Sequence, residues 1–159
     1  MTNELGVKGG PIDGVIVVRR NKIPDERGSI LHMLKKEDPE FIKFGEIYFS
    51  NIFPNVIKGW HIHSKMELNY VTVVGDIKLV LYDDREGSKT RGGLMEIFMG
   101  ERNSLLVKVP KMIWNGFKCV GLKEAVVANC SSLSHDPGEI KRLDPLSKEI
   151  PYDWTLKNG

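Results

Sequence analysis

Short stretches in which apolar residues alternate with polar ones, or run together, recur along most of the chain. Most are rich in Val, Ile, Tyr and Phe, which favour strands. Turn-forming segments such as Asp25–Gly28 and Arg91–Gly93 separate them. Many short strands at regular spacing are typical of an all-β sandwich or closed barrel. The predicted strands are Gly14–Arg20, Gly45–Ile52, Val56–Ile62, Leu68–Val74, Asp76–Tyr82, Leu94–Met99, Ser104–Val109 and Ala125–Asn129.

Turn residues refine this pattern at two places. Gly75-Asp76 lies between Tyr70–Val74 and Ile77–Leu81, which predicts a two-residue β-hairpin. Pro110 directly follows Ser104–Val109 and is expected to end that strand, because proline has no amide hydrogen for the ladder.

Two segments depart from the strand pattern. Asp38-Pro39 resembles a helix cap followed by proline at the first helical position, so a single helical turn is predicted over Glu37–Phe44. The polar, proline-punctuated tail at 136–159 is expected to lie across the barrel surface. We therefore predict one domain over residues 1–159, with a core at about 12–135.

Composition narrows the class of protein. A net charge of +2, spread along 159 residues, argues against a nucleic-acid or membrane-surface partner. The N-terminus lacks the apolar core of a signal peptide, and no run approaches the roughly 18 apolar residues of a membrane-spanning helix. Two cysteines, Cys119 and Cys130, do not make a disulfide framework. These features predict a soluble, cytoplasmic protein.

The sharpest chemical feature is a pair of histidines in the predicted strand Val56–Ile62 and just beyond it. His61 and His63 are two residues apart, so their side chains face the same side of a strand. With Glu67 they have the ligand spacing of metal-binding cupins. The final histidine ligand of such proteins falls at Asn115, however, and an amide is a poor transition-metal ligand. A metal site at His61, His63 and Glu67 therefore stays an alternative.

Three other segments contain candidate functional residues. Asp84 lies where a strand meets the charged loop that follows it, so its carboxylate could orient a histidine on a neighbouring strand. In Trp114–Phe117 the aromatic rings could wall a pocket, and Asn115 offers both a donor and an acceptor. Arg27 lies in a turn, and arginine suits bidentate recognition of phosphate.

Taken together and in this order, these segments resemble the dTDP-4-dehydrorhamnose 3,5-epimerase family over about residues 12–154. The matching motifs are the Asp-x-Arg-Gly turn at Asp25–Gly28, the strand motif at Phe49–Asn51 with Lys58–His61, the loop at Asp84–Gly92, Pro110–Phe117, and the late Pro137–Glu139, Asp144-Pro145 and Trp154. The resemblance implies a jelly-roll cupin, that is, a double-stranded β-helix. It also implies a homodimer, no metal or other cofactor, and a nucleotide-diphospho-4-keto-sugar substrate in deoxy-sugar or surface-polysaccharide biosynthesis.

The resemblance also implies roles for individual residues. His61 matches the base that removes a proton next to the C4 ketone, a task suited to neutral histidine. His63 and Asn115 are candidates to stabilise the enolate. Arg27 matches an arginine that contacts the pyrophosphate, often across the dimer, and Lys58 replaces a second phosphate-site arginine. Asn51 and Asn129 complete the expected substrate contacts, and Asp84 the expected catalytic set.

The sequence departs from the family at three site positions. Asn129 occupies the place of the family's catalytic tyrosine acid, Leu68-Asn69 the place of a lysine, and Asn115 the place of a histidine. A substitute acid, if one is needed, could be Cys130, His135 or Tyr70. We therefore predict an epimerase-like isomerase that acts either at both carbons or at one carbon only. The alternatives are a non-catalytic nucleotide-sugar-binding cupin and the metal-binding cupin described above.

Overall fold

The computed structural model describes residues 2–157, and strands account for nearly all of their regular structure. One turn of 3-10 helix, Pro137–Glu139, precedes the final strand. The strands are β1 (Val7–Gly9), β2 (Ile16–Arg19), β3 (Lys22–Asp25), β4 (Gly28–Leu31), β5 (Glu46–Ile52), β6 (Ile57–His63), β7 (Leu68–Val74), β8 (Asp76–Tyr82), β9 (Leu94–Gly100), β10 (Leu105–Val109), β11 (Trp114–Cys119), β12 (Ala125–Ser131) and β13 (Ile140–Arg142).

Two antiparallel sheets form the body of the protein. One has six strands in the order β1-β9-β8-β11-β6-β13, and the other has five in the order β2-β10-β7-β12-β5. Strands β3 and β4 pair only with each other and form a separate hairpin. No α-helix occurs within residues 2–157, and none of this part of the chain forms a helix that could cross a membrane. The all-β prediction is confirmed.

The core fills the space between the sheets. Leu79, Leu81, Ile97, Leu105 and Val107 are fully buried there. Each side chain of this kind stabilises the fold by about 1.5–3 kcal/mol relative to exposure. The apolar filling is continuous at one end of the barrel and gives way to a cavity at the other.

The C-terminal tail packs on the outside of the six-stranded sheet. Strand β13 pairs with β6, and Ile150 and Trp154 cluster with Trp60. The indole N–H groups of Trp60 and Trp154 both donate to the carbonyl of Pro145, at 3.2 and 3.1 Å. The tail therefore fixes the strand that carries the two histidines.

The predicted hairpin around Gly75-Asp76 is wrong. Strand β7 belongs to the five-stranded sheet and β8 to the six-stranded sheet, so the turn passes from one sheet to the other. Gly75 has φ +70, and a Cβ there would come within 2.6 Å of the carbonyl oxygen of Glu124. This corner demands glycine just as a hairpin turn does, which is why the local sequence cannot distinguish the two.

The predicted helical turn over Glu37–Phe44 is also wrong, because this segment forms irregular turns. The Asp38 carboxylate accepts from the preceding amide of Lys35 at 2.9 Å and pairs with Arg20 at 2.9 Å. Arg20 also pairs with Glu40 at 3.2 Å. These ion pairs tie the segment to the end of β2, and the carboxylate is not used as a helix cap. Pro110 does end β10 as predicted.

Candidate functional site

A cavity of about 680 Å³ opens between the two sheets, on the side where β6 and β5 face each other. Its inner surface is partly apolar and partly polar. The residues that line it are Glu46, Tyr48, Ser50, Lys58, Gly59, Trp60, His61, His63, Met66, Tyr70, Phe117, Val127, His135, Ile140, Arg142 and Leu143.

A bulge in β6 brings two predicted site residues to the same face. Asn115 on β11 pairs with His61, and Phe117 pairs with Lys58, so two steps on β11 span three on β6. The extra residue reverses the inward and outward alternation. Lys58 therefore lines the cavity together with His61. Gly59 allows the bulge, since a Cβ there would lie 3.1 Å from the Cα of Gly116.

His61 and His63 face the cavity together, as their spacing predicted, with ring centroids 5.6 Å apart. Burial, the neighbouring His63 and the guanidinium of Arg142 lower the pKa of His61 to about 3. The imidazole is therefore neutral at pH 7, which is the form that accepts a proton.

Asn115 and Tyr70 fix the tautomer of His61. The Asn115 amide nitrogen donates to the carbonyls of His61 and Ile113, at 3.1 and 3.2 Å, so its oxygen faces Tyr70. The Tyr70 hydroxyl donates to that oxygen at 3.1 Å and lies 3.2 Å from Nε2 of His61. Because the one hydroxyl hydrogen goes to Asn115, Nε2 donates to Tyr70, and Nδ1 carries the free lone pair.

His63 is anchored by a carboxylate from the tail. Its Nδ1 contacts Glu139, which also accepts from the amides of Lys65 and Met66, at 3.1 and 3.2 Å. Burial alone would raise the pKa of Glu139, but these hydrogen bonds lower it below its usual value. Glu139 therefore stays ionised and holds one ring nitrogen of His63.

Two cations lie at the solvent side of the cavity. Arg142 on β13 is the register partner of His61 on β6, and its side chain is exposed. Lys58 donates to the hydroxyl of Ser50 at 2.9 Å and to the carbonyl of Asn51. The positive charge at the mouth suits an anionic ligand.

Asn129 is fully buried and lies behind a tyrosine. Its oxygen accepts from the amide of Asn69 at 3.1 Å, and its nitrogen donates to the hydroxyl of Tyr48 at 2.9 Å. Tyr48 is the register partner of Asn129 on the adjacent strand β5. The cavity wall at this point is therefore a phenol supported by an amide.

Asp84 does not orient a histidine, and that prediction is wrong. Its side chain is exposed and pairs with Arg91 at 3.4 Å. The buried carboxylate of this loop is Asp83, which accepts from Arg85, Ser88 and Thr90 at 2.9, 2.7 and 2.6 Å. The charged motif thus builds a loop, and the carboxylate that contacts a cavity histidine is Glu139.

Two predicted substrate contacts lie outside the cavity of this chain. Arg27 is at the tip of the β3–β4 hairpin, where its exposed guanidinium pairs with Asp25 at 2.5 Å. Asn51 is on the outer face of β5 and donates to Glu124 at 3.0 Å. The inward-facing neighbour of Asn51 is Ser50, which lines the cavity.

The alternative metal ligands do not converge. The carboxylate of Glu67 pairs with Lys108 at 3.3 Å, whereas His63 is held by Glu139. Within residues 2–157 no three side chains of His, Cys, Asp or Glu form a group with metal-site geometry.

Sequence reasoning missed three functional residues: Tyr48 and Arg142, which line the cavity, and the buried Glu139, which holds His63. Glu139 lies in a recognised motif, and Arg142 follows it at an inward-facing position of β13. Tyr48 alternates with Glu46 and Ser50 along the inner face of β5. That alternation was visible in the sequence, but which face points inward depends on the sheet pairing.

Comparison with known proteins agrees with this architecture. The dTDP-4-dehydrorhamnose 3,5-epimerase family matches residues 10–158. The Bacillus subtilis spore coat polysaccharide biosynthesis protein SpsL is 32% identical over 142 residues, which cover 89% of this chain and 91% of SpsL. The probable low-salt glycan biosynthesis epimerase Agl13 of Haloferax volcanii is 32% identical over 131 residues, 81% of each chain.

A solved structure extends the likeness to three dimensions. The dTDP sugar isomerase of Desulfovibrio desulfuricans G20 has a TM-score of 0.88 and 40% sequence identity, over 90% of this chain and 92% of that one. This confirms the predicted cupin barrel and the predicted class of epimerase-like isomerase. The chain belongs to the dTDP-4-dehydrorhamnose 3,5-epimerase family.

Proposed function

We propose that this protein epimerises a nucleotide-diphospho-4-keto-sugar, with His61 as the base that removes a proton from a carbon next to the C4 ketone. The observation that carries the proposal is a neutral histidine, held in one tautomer, inside a cavity with cations at its mouth. The ketone acidifies the adjacent C–H bonds, so a neutral imidazole is a suitable acceptor.

The remaining cavity residues suit the substrate's charge distribution. Lys58 and Arg142 would bind the diphosphate, and arginine can do so with two parallel hydrogen bonds. In the imidazolium form, paired through Nδ1 with the Glu139 carboxylate, His63 would donate its Nε2–H toward the enolate oxygen. Asn115 acts through Tyr70, which holds the ring of His61, and so is a positioning residue.

Proton exchange tests this function directly. The protein would be incubated with dTDP-4-keto-6-deoxyglucose in heavy water, and the protons at C3 and C5 followed by NMR. We expect exchange at one or both carbons, falling by about 100-fold or more in His61→Ala, the usual contribution of a general base. Binding of the nucleotide sugar without exchange would contradict the proposal and favour a non-catalytic nucleotide-sugar-binding protein.

We further propose a homodimer in which Arg27 of the partner subunit reaches the diphosphate. The edge strand β5 exposes Ile47 and Phe49 on its outer face, and the β3–β4 hairpin exposes Ile23 and Ile30. An apolar edge strand is a ready surface for pairing with another chain. Sedimentation should give a dimer that Phe49→Lys weakens, and Arg27→Ala should weaken substrate binding; a monomer that binds normally would contradict this arrangement.

We place this reaction in the cytoplasm, in the biosynthesis of a surface polysaccharide or another deoxy-sugar product. The two cysteines, Cys119 and Cys130, are buried and unpaired, as suits a reducing compartment. Fractionation of the source cell would test the location.

A further inference from the structure

An epimerase needs a proton donor on the side opposite its base, and the tyrosine that supplies it in this family is replaced here by Asn129. Asn129 has no exposed surface, and both ends of its amide are engaged, with the amide of Asn69 and the hydroxyl of Tyr48. An amide is also far too weak an acid for this step. Asn129 therefore leaves the family's proton-donor position unfilled.

The hydroxyl that faces the cavity at this position comes from the neighbouring strand. Tyr48 and Asn129 are direct register partners on β5 and β12, so their side chains lie side by side on one face of the sheet. Inward alternation on β5 turns Tyr48 into the cavity, between Glu46 and Ser50. The wall thus carries a phenol one strand away from the family's position.

Tyr48 and His61 lie on opposite walls. His61 projects from β6 of the six-stranded sheet and Tyr48 from β5 of the five-stranded sheet, and both line the same cavity. A sugar ring between the two sheets would present one face to each of them. Inversion requires that the proton leave from one face and return to the other.

The other candidate donors are less suitable. The Tyr70 hydroxyl is buried and already donates to Asn115. Cys130 follows Asn129 on β12, so it faces the other side of the sheet. His135 lines the cavity but lies on the segment after β12. Tyr48, by contrast, accepts from Asn129, lines the cavity and is 37% exposed, so its hydroxyl is accessible to a ligand.

We infer that Tyr48 is the proton donor on the face opposite His61, an inference that rests on the function proposed above. His61 takes the proton as the C–H bond breaks, and the electron pair moves to the C4 oxygen to form the enolate. The ketone then re-forms as the carbon takes the hydroxyl proton of Tyr48 on its other face. The enzyme is left with an imidazolium and a phenolate, and solvent restores both by taking one proton and supplying another.

Both tyrosines that line the cavity with His61 start the reaction as neutral phenols. Burial raises the pKa of Tyr48 and that of Tyr70, so both phenols are protonated before the reaction starts.

Separate measurement of exchange and inversion tests this role. In heavy water the wild-type protein should give inverted product that carries deuterium. Tyr48→Phe should still exchange the proton that His61 removes, within about threefold of the wild-type rate, while inversion falls by about 100-fold or more. Tyr82→Phe, the same change on β8 outside the cavity, should alter neither rate.

Each contrary result has its own meaning. Inversion by Tyr48→Phe at the wild-type rate would overturn the inference, and loss of inversion in His135→Gln alone would assign the role to His135. Absence of exchange in the wild type would overturn the proposed function, and this inference with it. Parallel loss of exchange and inversion in Tyr48→Phe would mean that Tyr48 is structural.

If Tyr48→Phe folds poorly, a variant that moves the tyrosine to position 129 provides a second test. The double variant Tyr48→Asn, Asn129→Tyr exchanges the two register partners and restores a phenol at the family's position. We expect it to invert the substrate at least about tenfold faster than the single variant Tyr48→Asn. No recovery in a double variant that melts at the wild-type temperature would overturn the inference.

Discussion

The two walls of the cavity differ in the chemistry that they present. The six-stranded wall carries ionisable nitrogen, in His61, His63, Lys58 and Arg142, whereas the five-stranded wall carries hydroxyls and an amide, in Tyr48, Tyr70, Ser50 and Asn129. The first wall supplies His61 as the base and cations that can bind an anion; the second carries one carboxylate, Glu46, and otherwise groups that donate or position. The division matches a reaction in which the base and the donor act on opposite faces of a planar enolate.

The walls also differ in what holds them. The histidine wall depends on the C-terminal tail, which supplies both Glu139 and the strand β13 that carries Arg142. The hydroxyl wall is held by pairing among β5, β12 and β7. Changes in the tail should therefore affect the charged wall alone.

The largest effect is expected from the link between tail and histidine. Glu139→Ala removes the partner of His63 and leaves the amides of Lys65 and Met66 without an acceptor. Loss of a buried, hydrogen-bonded charge costs about 3–5 kcal/mol. Urea denaturation should show this loss, with the exposed Glu149→Ala as control. A loss below about 1 kcal/mol would mean that the tail does not support this wall.

A smaller effect is expected for the cation of the same wall. Arg142→Ala should weaken the binding of dTDP about 10- to 100-fold, since a charge-assisted hydrogen bond contributes about 1.5–3 kcal/mol. Titration calorimetry would measure the affinity. Lys141→Ala removes an equal charge from the preceding residue, which does not line the cavity and lies on the other face of β13. Equal losses in both variants would indicate a general charge effect rather than a contact.

The hydroxyl wall should respond less. Tyr70→Phe leaves the buried Asn115 oxygen without its donor and His61 Nε2 without its acceptor. The cost is about 2 kcal/mol of unfolding free energy. Hydrogen exchange at the sugar should also slow, because the tautomer of His61 is no longer fixed. Unchanged stability would show that water replaces the hydroxyl, and Tyr82→Phe is the matched control.

The same contrast between walls explains what could be predicted from the sequence. The residues of the charged wall lie in local motifs, so His61, His63 and Lys58 could be assigned from spacing and family resemblance. Tyr48 acquires its position from the pairing of β5 with β12, whose residues are separated by 81 positions in the chain. Asp84 was mistaken for a site residue because a carboxylate beside a strand end has the same local sequence whether it faces inward or outward. Local pattern thus finds strands and motifs, but sheet order decides which side chains meet.

The smallest expected effect is the part of the pH dependence of stability that comes from His61. Its pKa of about 3 in the folded protein lies below the ordinary value of 6.5, so between these values the unfolded chain binds a proton that the folded protein does not. The contribution of His61 to the free energy of unfolding is therefore fully present above pH 6.5 and falls as the pH decreases toward 3. One histidine contributes a loss of about 1.4 kcal/mol between pH 7.5 and 5.5, above the range where carboxylates titrate.

Replacement of His61 should remove this part of the change in unfolding free energy with pH. Denaturation of His61→Gln at the two pH values should show a difference smaller by about 1.4 kcal/mol than in the wild type. His32→Gln, a change of an exposed histidine, is the control. Retention of the full slope in His61→Gln would mean that the cavity tolerates an imidazolium. The base would then be charged near pH 6, and exchange of the sugar protons would fall in the same range, which ties the stability measurement to the catalytic one.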